Sequence, residues 1–500
     1  MRYTRLVAGV LLLSVLICSQ VLASGFENTG LGTTARGMGG AFRAIANDWT
    51  AAYYNPAGYA FLMDNQLGAD VAFFENRHQL KPAYAAEDAF GNTYGWGIVN
   101  GQEVYNFHRV LNNPAGGLTV RLPFWGETVF GFSVYQPFDY NIAWRLYDVE
   151  GSAMQAYNPK ADSLMPSDHY KNDLDIVAFQ LTAGREFIED KLALGIGLQV
   201  LRADLWFSDL TFRANPRSHP VSDRPRDRVP EFTKNDGTGW GFGLRGGMLW
   251  KFNDKLNVAV TAYLPFDITV DGSTDYTFIM PKYPDQSIDE VNMSAEDLLF
   301  VKGEDVVLSS DFKSKIKLPA SFGLGLAYQV TEKLTVSLDA EYTMWSHFDG
   351  LEFAYTNFTG LRRTPDTVSG GYRNLEEDFF TTSLSNPVEW DDAGKVALGL
   401  MYDYSETITL LAGGSLDQSP ARDGKLYPQF VDTGDKYGFN GGAIFHVNRW
   451  DVGIVQTYIN YPDLGVGGLD DLDNDGNFDN FPGEYEANYF ETTLSVVYRF

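Results

Sequence analysis

The sequence has little cysteine, a deficit of basic residues and, beyond its first two dozen positions, no long apolar run. One cysteine in 500 residues excludes a small secreted domain stapled by disulfides. The 38 Lys and Arg residues against 65 Asp and Glu leave a net charge of −27. This balance argues against a nucleic-acid partner, because phosphate binding needs clustered basic side chains. Without runs of about eighteen apolar residues, the chain is not a polytopic helical membrane protein.

Glycine and aromatic residues are abundant instead. The chain has 50 Gly, 28 Tyr, 35 Phe and 10 Trp, and 44% of its residues are hydrophobic. A buried core is therefore expected. Abundant glycine and aromatic residues without a cysteine framework are typical of an outer-membrane β-barrel.

The first 23 residues are predicted to be a secretory signal peptide. Arg2 and Arg5 form its basic start, residues 6–17 form its apolar core, and cleavage is expected before Ser24. A membrane anchor is the alternative, but the apolar run is too short to span a bilayer comfortably. A lipoprotein site at Cys18 is disfavoured by the bulky isoleucine that precedes it. The mature chain is then expected to lack cysteine.

Much of the mature chain alternates between apolar and polar residues with a period of two, which predicts β-strands. Between Lys333 and Trp345, leucine, valine, alanine, tyrosine and methionine share one face, and lysine, threonine, serine, aspartate and glutamate share the other. The last strand ends in Phe500. A C-terminal aromatic residue on such a strand resembles the signal that the outer-membrane assembly machinery recognises.

Fourteen such segments are predicted. They lie near residues 67–76, 115–123, 127–138, 172–187, 191–204, 238–252, 255–270, 305–328, 333–348, 390–404, 407–417, 434–447, 450–460 and 486–500. An even number of strands returns both ends of a barrel to the periplasmic side, where short turns are expected. The long connections 139–171, 205–237, 271–304 and 349–389 are then expected outside the cell. The fold class is thus predicted to be all-β, a 14-stranded antiparallel transmembrane β-barrel.

A glycine-rich segment follows the signal peptide, and its motifs carry a family resemblance. Gly25-Phe26 begins it, Arg36-Gly37-Met38-Gly39-Gly40 and Asn47-Asp48 follow, and Asn55, Pro56, Ala57 and Gly58 end it. This segment resembles the N-terminal hatch of the outer-membrane long-chain fatty acid transporter family (FadL-like, including aromatic-hydrocarbon channels). Later stretches, at 342–349, 390–392, 396–399 and 417–420, are also similar to that family. The predicted domains are a signal peptide (1–23), a hatch inside the barrel lumen (24–60) and the barrel (61–500).

The resemblance implies a channel, not an enzyme, in the outer membrane of a Gram-negative bacterium. It implies passive uptake of hydrophobic molecules, with long-chain fatty acids expected first, through hatch rearrangement and a lateral opening of the wall. The implied partners are that small molecule, outer-membrane lipid and, through Phe500, the assembly machinery. The family's basic residues that meet a fatty acid carboxylate have no recognisable counterpart, so an aromatic hydrocarbon stays open as the substrate. A structural or secretion-associated barrel and a polar-solute porin also stay open.

Three sets of residues are candidates for the functional site. The Asn55–Gly58 motif is expected to anchor the hatch, although it is also an ordinary turn sequence. Pro137 is expected to interrupt the third strand, because proline cannot donate a ladder hydrogen bond. Aromatic residues of the outer segments are expected to form an apolar pocket; their alternative role is packing within loops or at the membrane interface. These are Phe207, Phe212, Tyr276, Phe278, Phe353, Tyr355 and Phe358.

An acidic stretch near the C-terminus resembles a calcium loop. Oxygen-bearing residues occupy alternate positions, with Gly476 at the sixth: Asp471, Asp473, Asp475, Asn477 and Asp479. Pro482 stands where a bidentate glutamate is usual, so either Glu484 replaces that ligand or the stretch is only an acidic, solvated loop. No other cofactor is expected. The six histidines show no metal-ligand spacing, and no nucleophile elbow or phosphate loop is present.

Overall fold

The structure is a computed structural model of the 500-residue chain. It describes residues 25–83, 103–106, 110–122, 128–146, 170–214, 228–280, 306–360, 364–365, 372–373, 384–386, 388–421, 426–431, 434–467 and 481–500. The predicted signal peptide and the predicted calcium loop at 471–479 lie outside these residues. No helix within the described ranges has the length and apolar character that crossing a bilayer requires.

One antiparallel sheet of nineteen segments dominates the fold. Ten strands are continuous: β1 (Gln66–Pro82), β2 (Val110–Arg121), β3 (Thr128–Trp144), β4 (Tyr170–Ile188), β5 (Leu192–Ala214), β6 (Arg228–Asn253), β11 (Ile408–Asp417), β12 (Lys436–Val447), β13 (Trp450–Val466) and β14 (Gly483–Arg499). Four strands have two segments each: β7 (Leu256–Pro265, Ile268–Phe278), β8 (Val306–Ile316, Ser321–Gln329), β9 (Leu334–Thr343, Leu351–Thr359) and β10 (Leu384–Asn386, Ala393–Ser405). The nineteenth segment, Val104–Tyr105, pairs with β1.

The sheet closes into a barrel because its first and last strands pair along their whole length. β1 and β14 run antiparallel from Gln66↔Arg499 to Pro82↔Gly483. Closure satisfies backbone groups that an open edge would expose to lipid. The predicted all-β barrel of fourteen antiparallel strands is therefore confirmed.

The strands reach further than the sequence predicted at the end with long connections. β5 continues to Ala214 and β6 begins at Arg228, within the stretch 205–237 that was expected to be a loop. Beyond the apolar band these strands carry polar side chains on their outer face, such as Asp204 and Lys234. The apolar outward face that marks a membrane-facing strand is lost there, although the ladder continues.

The two faces of the barrel wall differ in chemistry. On β5 the exposed residues are Leu194, Ile196, Leu198 and Val200, whereas the residues between them are small or polar. Trp240 and Trp250 lie exposed near the two ends of the apolar stretch of β6. An apolar band between aromatic residues is the surface that a lipid bilayer requires.

The N-terminal segment Gly25–Leu62 is the only large described part that lies outside this sheet. It contains two short helices, Thr33–Gly37 and Ala51–Tyr54, and a 3-10 helix, Pro56–Phe61. Almost all of its residues are buried. Its contacts with inward-facing wall residues, described next, account for that burial.

Candidate functional site

Glycines on the inward face of the wall make room for the N-terminal segment. The Trp49 indole lies against Gly68 of β1 and Gly117 of β2, and a Cβ at either position would collide with it. Met38 lies in the same way against Gly399 and Gly413 of β10 and β11. The abundance of glycine therefore reflects close packing between this segment and strands all round the barrel.

The Asn55–Gly58 motif is held by both the segment and the wall. The Asn55 amide donates to the carbonyl oxygens of Arg43 (2.9 Å) and Met248 of β6 (3.3 Å). Its side-chain oxygen accepts the Ala57 N–H at 3.1 Å, at the start of the 3-10 helix. The motif is thus a turn, as its composition suggested, that also contacts the wall.

Arg36 forms a buried ion pair with the last strand. Its Nη1 lies 2.7 Å from Glu491 Oε1 and 2.9 Å from Thr493 Oγ1 of β14. The rest of the guanidinium donates to the Gly30 carbonyl and to the Asn28 side chain. Both members of the ion pair are almost wholly buried.

Arg43 forms a second buried charge cluster, with β9, which lies five strands from β14 around the barrel. Its Nη2 lies 2.5 Å from Glu341 Oε2, and its Nη1 lies 3.4 Å from Asp339 Oδ2. The same Asp339 oxygen accepts the backbone N–H groups of Phe42 and Arg43. The polar face predicted for this strand, β9, therefore points inward and binds the segment.

Further hydrogen bonds from the wall reach the end of the segment. Gln180 of β4 donates to the Ala52 carbonyl at 2.7 Å, and Arg121 of β2 donates to the Leu62 carbonyl at 2.8 Å. Removing one partner of a buried ion pair costs about 3–5 kcal/mol. The ion pairs of Arg36 and Arg43, together with these hydrogen bonds, therefore hold residues 30–62 firmly. Sequence reasoning missed both ion pairs. The available signal was the occurrence of arginines and acids among small, inward-facing residues.

Residues 25–29, here called the tip, bind the third strand instead. The Asn28 N–H donates to the Pro137 carbonyl at 3.0 Å, and the Asp139 N–H donates to the Phe26 carbonyl at 3.2 Å. Glu27 pairs with Phe138 in an isolated antiparallel bridge. The tip thus supplies backbone partners to β3.

Pro137 stands where the ladder around β3 is irregular. Its pairing with β4 shifts register between Tyr135 and Phe138. In the described part of the chain, pairing between β2 and β3 ends at Gly116↔Val134. Pro137 therefore lies just beyond the point where β2 leaves β3. A bulge at this place agrees with the missing N–H of proline.

An aromatic chamber encloses the side chain of Phe26. The ring centroids of Trp345, Phe348 and Trp390 lie 4.8, 5.0 and 5.9 Å from that of Phe26. Trp345 and Phe348 lie in the break between the two segments of β9, and Trp390 lies in the break within β10. The interruptions of these neighbouring strands therefore bring large aromatic side chains into the interior.

The predicted aromatic residues fall into two groups. Phe207 and Phe353 extend the chamber, since their rings lie 5.3 Å apart and Phe207 lies 6.1 Å from Phe430. The other group packs together nearer the outer ends of the strands: Tyr276, Phe278, Tyr355 and Phe358. The side chain of Phe212 lies outside the described residues. Sequence reasoning missed the roles of Phe26, Trp345 and Trp390, although it singled out the stretches that contain them.

A cavity beside the tip reaches the break in the wall. About 1080 Å³ of space, part of it open to solvent, lies between the tip and strands on the far side of the barrel. Leu111 of β2 and Asp139 and Asn141 of β3 line it as well. The cavity therefore connects the barrel interior with the place where β2 and β3 separate.

The Glu27 carboxyl group lies on the other side of the tip from Phe26. The Tyr53 hydroxyl donates to it at 3.0 Å. Burial raises the pKa of Glu27 to about 7; Glu341 adds to this rise, whereas Lys395 and Arg245 oppose it. This carboxyl group is therefore half-buried among polar side chains without a close ion-pair partner of its own in the described residues.

No group of three or more His, Cys, Asp or Glu side chains within the described ranges is placed to hold a metal ion. The predicted calcium ligands between Asp471 and Asp479 are not among those residues. Pro482 and Glu484, which are described, lie at the start of β14.

Comparisons with known proteins agree with this architecture. A family model described as "Outer membrane protein transport protein (OMPP1/FadL/TodX)" matches residues 14–500. The putative outer membrane protein NMB0088 of Neisseria meningitidis is 23% identical over 234 residues, 47% of this chain and 45% of that protein. Outer membrane protein P1 of Haemophilus influenzae is 22% identical over 269 residues, 50% of this chain and 49% of that protein. The match thus spans about half the length of each relative.

Solved structures show the same fold over nearly the whole chain. A FadL homologue of Pseudomonas aeruginosa has a TM-score of 0.69 at 16% identity and covers 95% of this chain and 99% of its own. The toluene transporter TodX of P. putida has a TM-score of 0.63 at 14% identity and covers 94% of this chain and 99% of its own. At such identities the likeness establishes the fold alone.

Proposed function

Because the chain belongs to the outer membrane protein transport family (OMPP1/FadL/TodX), we propose that it takes up long-chain fatty acids passively. The members of this outer-membrane family are channels for hydrophobic compounds and not enzymes. In this proposal residues 1–23 are a cleaved signal peptide and residues 24–60 act as a hatch. The substrate enters from outside, displaces the tip, and leaves sideways into the membrane between β2 and β3.

One observation carries the proposal: the tip binds the wall where the wall is interrupted. Asn28 contacts Pro137, and the adjoining cavity reaches β2 and β3 where their pairing ends. Movement of the tip would therefore free the aromatic chamber and the break in the wall together. A hydrophobic ligand needs both a dry site and an exit that avoids water.

The hatch divides into a fixed base and a movable tip. The base, residues 30–60, is held by the ion pairs of Arg36 and Arg43 with β14 and β9. The tip has no ion pair among the described residues: it is held by backbone hydrogen bonds to β3, by the burial of Phe26, and by side-chain hydrogen bonds of Glu27, Asn28 and Thr29. A ligand that fills the place of the Phe26 ring packs against the same aromatic side chains, so the exchange of tip for ligand needs little net free energy.

An aromatic hydrocarbon is the second candidate substrate. The chamber around Phe26 is formed mainly of Trp and Phe rings, which would stack on an aromatic ligand as they do on Phe26. The toluene transporter TodX shares the fold. A structural barrel without transport is the third candidate, and it predicts that no lipid is extracted with the purified protein.

A reversible disulfide between the tip and the wall tests the proposal. Glu27 and Phe138 are bridge partners, and paired residues of antiparallel strands have the Cα separation that a disulfide needs. In the double variant Glu27→Cys/Phe138→Cys, uptake of radiolabelled palmitate by cells should be lost under oxidising conditions and return after reduction. The predicted mature chain has no other cysteine, and the two single-cysteine variants are the controls. Equal uptake by the oxidised and reduced double variant would contradict the proposal.

A further inference from the structure

Residues 103–106 lie in the connection between β1 and β2 and return to the edge of β1. In the described part of the chain, the ladder between β1 and β2 ends at Glu75↔Val110. Further toward the long connections, Val104 and Tyr105 pair with β1 instead. They use the same edge as β2, because β14 occupies the other edge of β1 along its whole length. This short segment therefore continues the wall beside β1 beyond the end of β2.

Asn106 connects this segment to β3. Its backbone N–H donates to the His78 carbonyl of β1 at 2.9 Å, and its side-chain oxygen accepts the Ala143 N–H of β3 at 3.0 Å. Asn106 is 1% exposed, and Ala143 is fully buried. A buried backbone N–H without a partner is costly, so the bond to Ala143, here called the outer link, is strongly favoured. One side chain thus joins β1 to β3 across the gap that β2 leaves.

The gap between β2 and β3 is therefore closed at both ends. Toward the short turns, the two strands pair from Gly116↔Val134 onward, and toward the long connections the outer link holds β3 at Ala143. The stretch of β3 between these two points is about 30 Å long, at about 3.3 Å a residue. The tip bonds to the middle of this stretch, at residues 137–139.

The tip and the outer link differ in what happens to them when the channel opens. The tip withdraws in the proposed function, whereas the segment that carries the outer link is paired with β1 and stays. The other edge of β3 remains bound to β4, with pairs from Phe138↔Ile176 to Trp144↔Tyr170. Two strands that are joined at both ends can separate only between those ends. The outer link therefore limits how wide the gap becomes after the tip has left.

We propose that Asn106 is a positioning residue that limits the width of the lateral opening and thereby excludes hydrophobic molecules of broad cross-section. This inference rests on the proposed function and adds its size selectivity. Leu111 of β2 and Asn141 of β3 line the cavity beside the tip, so a molecule that leaves through the gap passes between these strands. Without the outer link, the end of β3 moves away from β2 and the opening widens.

Relative uptake of a straight and a branched fatty acid tests the inference. Initial uptake of radiolabelled palmitic acid and of radiolabelled phytanic acid, the same chain with methyl branches, is measured in cells that produce the full chain. Asn106→Leu keeps the approximate shape of the side chain and removes the acceptor oxygen. It should raise the ratio of branched to straight uptake about threefold or more, in keeping with the loss of one net hydrogen bond. An unchanged ratio overturns the inference.

Two further variants separate the hydrogen bond from other effects of substitution. Asn106→Asp keeps an oxygen that accepts the Ala143 N–H, so it should keep the wild-type ratio. Asn65→Leu is the matched control, because the Asn65 side-chain oxygen accepts the Arg121 N–H of β2 at 2.9 Å, at the other end of the barrel. It should also keep the wild-type ratio. A rise in either variant equal to that in Asn106→Leu would overturn the inference.

A distance between the two margins of the gap gives a second readout. Spin labels on Asn112→Cys of β2 and Gln136→Cys of β3 should lie farther apart in the Asn106→Leu background than in the wild-type background. An identical distance distribution would overturn the inference. Heat-modifiable electrophoretic mobility shows whether each variant forms a barrel, and Asn106→Ala takes the place of Asn106→Leu if the latter does not fold. If wild-type cells take up neither acid faster than cells without the protein, the proposed function itself fails, which is a distinguishable outcome.

Discussion

Arg36 and Glu491 are 455 residues apart in sequence, and their side chains meet at 2.7 Å between the N-terminal segment and the last strand. Both are nearly free of solvent contact, at 3% and 1% exposure. The pair joins the N-terminal segment to the strand that closes the barrel. The segment therefore docks on a wall that is complete only when the C-terminal strand is in place.

Removal of Glu491 is expected to loosen the segment. Glu491→Ala leaves the Arg36 guanidinium buried without its counter-charge, at a cost of about 3–5 kcal/mol. Ion conductance in planar bilayers should rise, because a loosened segment opens the lumen to water. Glu486→Gln is the control, since Glu486 lies exposed on the same strand. Conductance equal to that of the wild type would contradict the role assigned to this pair.

Pro137→Val is expected to lower uptake of hydrophobic substrate. Valine restores a backbone N–H and favours regular pairing, so the bulge in β3 should be reduced and the break beside β2 narrowed. Uptake of radiolabelled fatty acid by intact cells measures the effect. Pro265→Val, at the break within β7 and away from the tip, serves as the comparison. If Pro137→Val leaves uptake unchanged, this proline does not create the opening.

Two adjacent glycines of β6 should respond differently to alanine. A Cβ at Gly247 would collide with the Asn55 side-chain oxygen, whereas a Cβ at Gly246 meets open space. Gly247→Ala should lower the free energy of unfolding by about 1–3 kcal/mol through overpacking, and Gly246→Ala should be nearly neutral. Thermal unfolding in detergent gives both values. Equal effects at the two positions would show that the Asn55 side chain does not pack closely against Gly247.

Docking of the tip is expected to weaken as pH rises. The docked Glu27 has a pKa of about 7 against an ordinary value of 4.5. The docked state thus holds the proton more tightly, so docking is strongest below pH 4.5 and is progressively weakened up to about pH 7. The groups that set this environment are Tyr53, Arg245, Glu341 and Lys395. A spin label on Asn28→Cys should be more mobile at pH 8 than at pH 5.

Glu27→Gln is the control for this pH dependence. Glutamine has the shape of glutamate but does not ionise, so the mobility of the spin label should become independent of pH in this range. A pH dependence that survives the substitution would assign the effect to another group.

Calcium binding by the acidic stretch remains a proposal from the sequence. Calorimetric titration with calcium should give a binding heat for the wild type and none for Asp473→Asn/Asp475→Asn. In that variant, neutral amide groups replace two of the carboxylate groups that calcium prefers as ligands. Equal heats from the two proteins would mean that these residues hold no calcium.

The barrel itself could be predicted because its signal is local. A strand that faces lipid on one side and the interior on the other alternates with a period of two. The strands β5, β9 and β14 can therefore be recognised from about ten residues of sequence each. The outer ends of the strands could not be predicted in this way. There the lipid ends, the outward face becomes polar, and only the partner strand shows that Arg228 belongs to β6.

The sequence identified the components of the candidate site, but it did not predict which of them contact one another. The Gly-Phe start, the Asn55–Gly58 motif, Pro137 and the stretch 342–349 were all singled out from sequence, yet no pattern showed that Phe26 and Trp345 form one chamber. Contacts between residues 300 or more apart depend on barrel closure and strand register. A shift of one residue would turn Glu341 from Arg43 toward lipid.

The sequence by itself determined the class of molecule: an exported chain of alternating strands preceded by a small-residue segment. Periodicity and composition are properties of neighbouring residues, so they survive without coordinates. Only the tertiary structure decided that the tip covers the break beside Pro137 and that Glu27 meets Tyr53. These pairings arise where distant strands and the segment are brought together inside a closed ring, and the chain order does not encode their geometry locally.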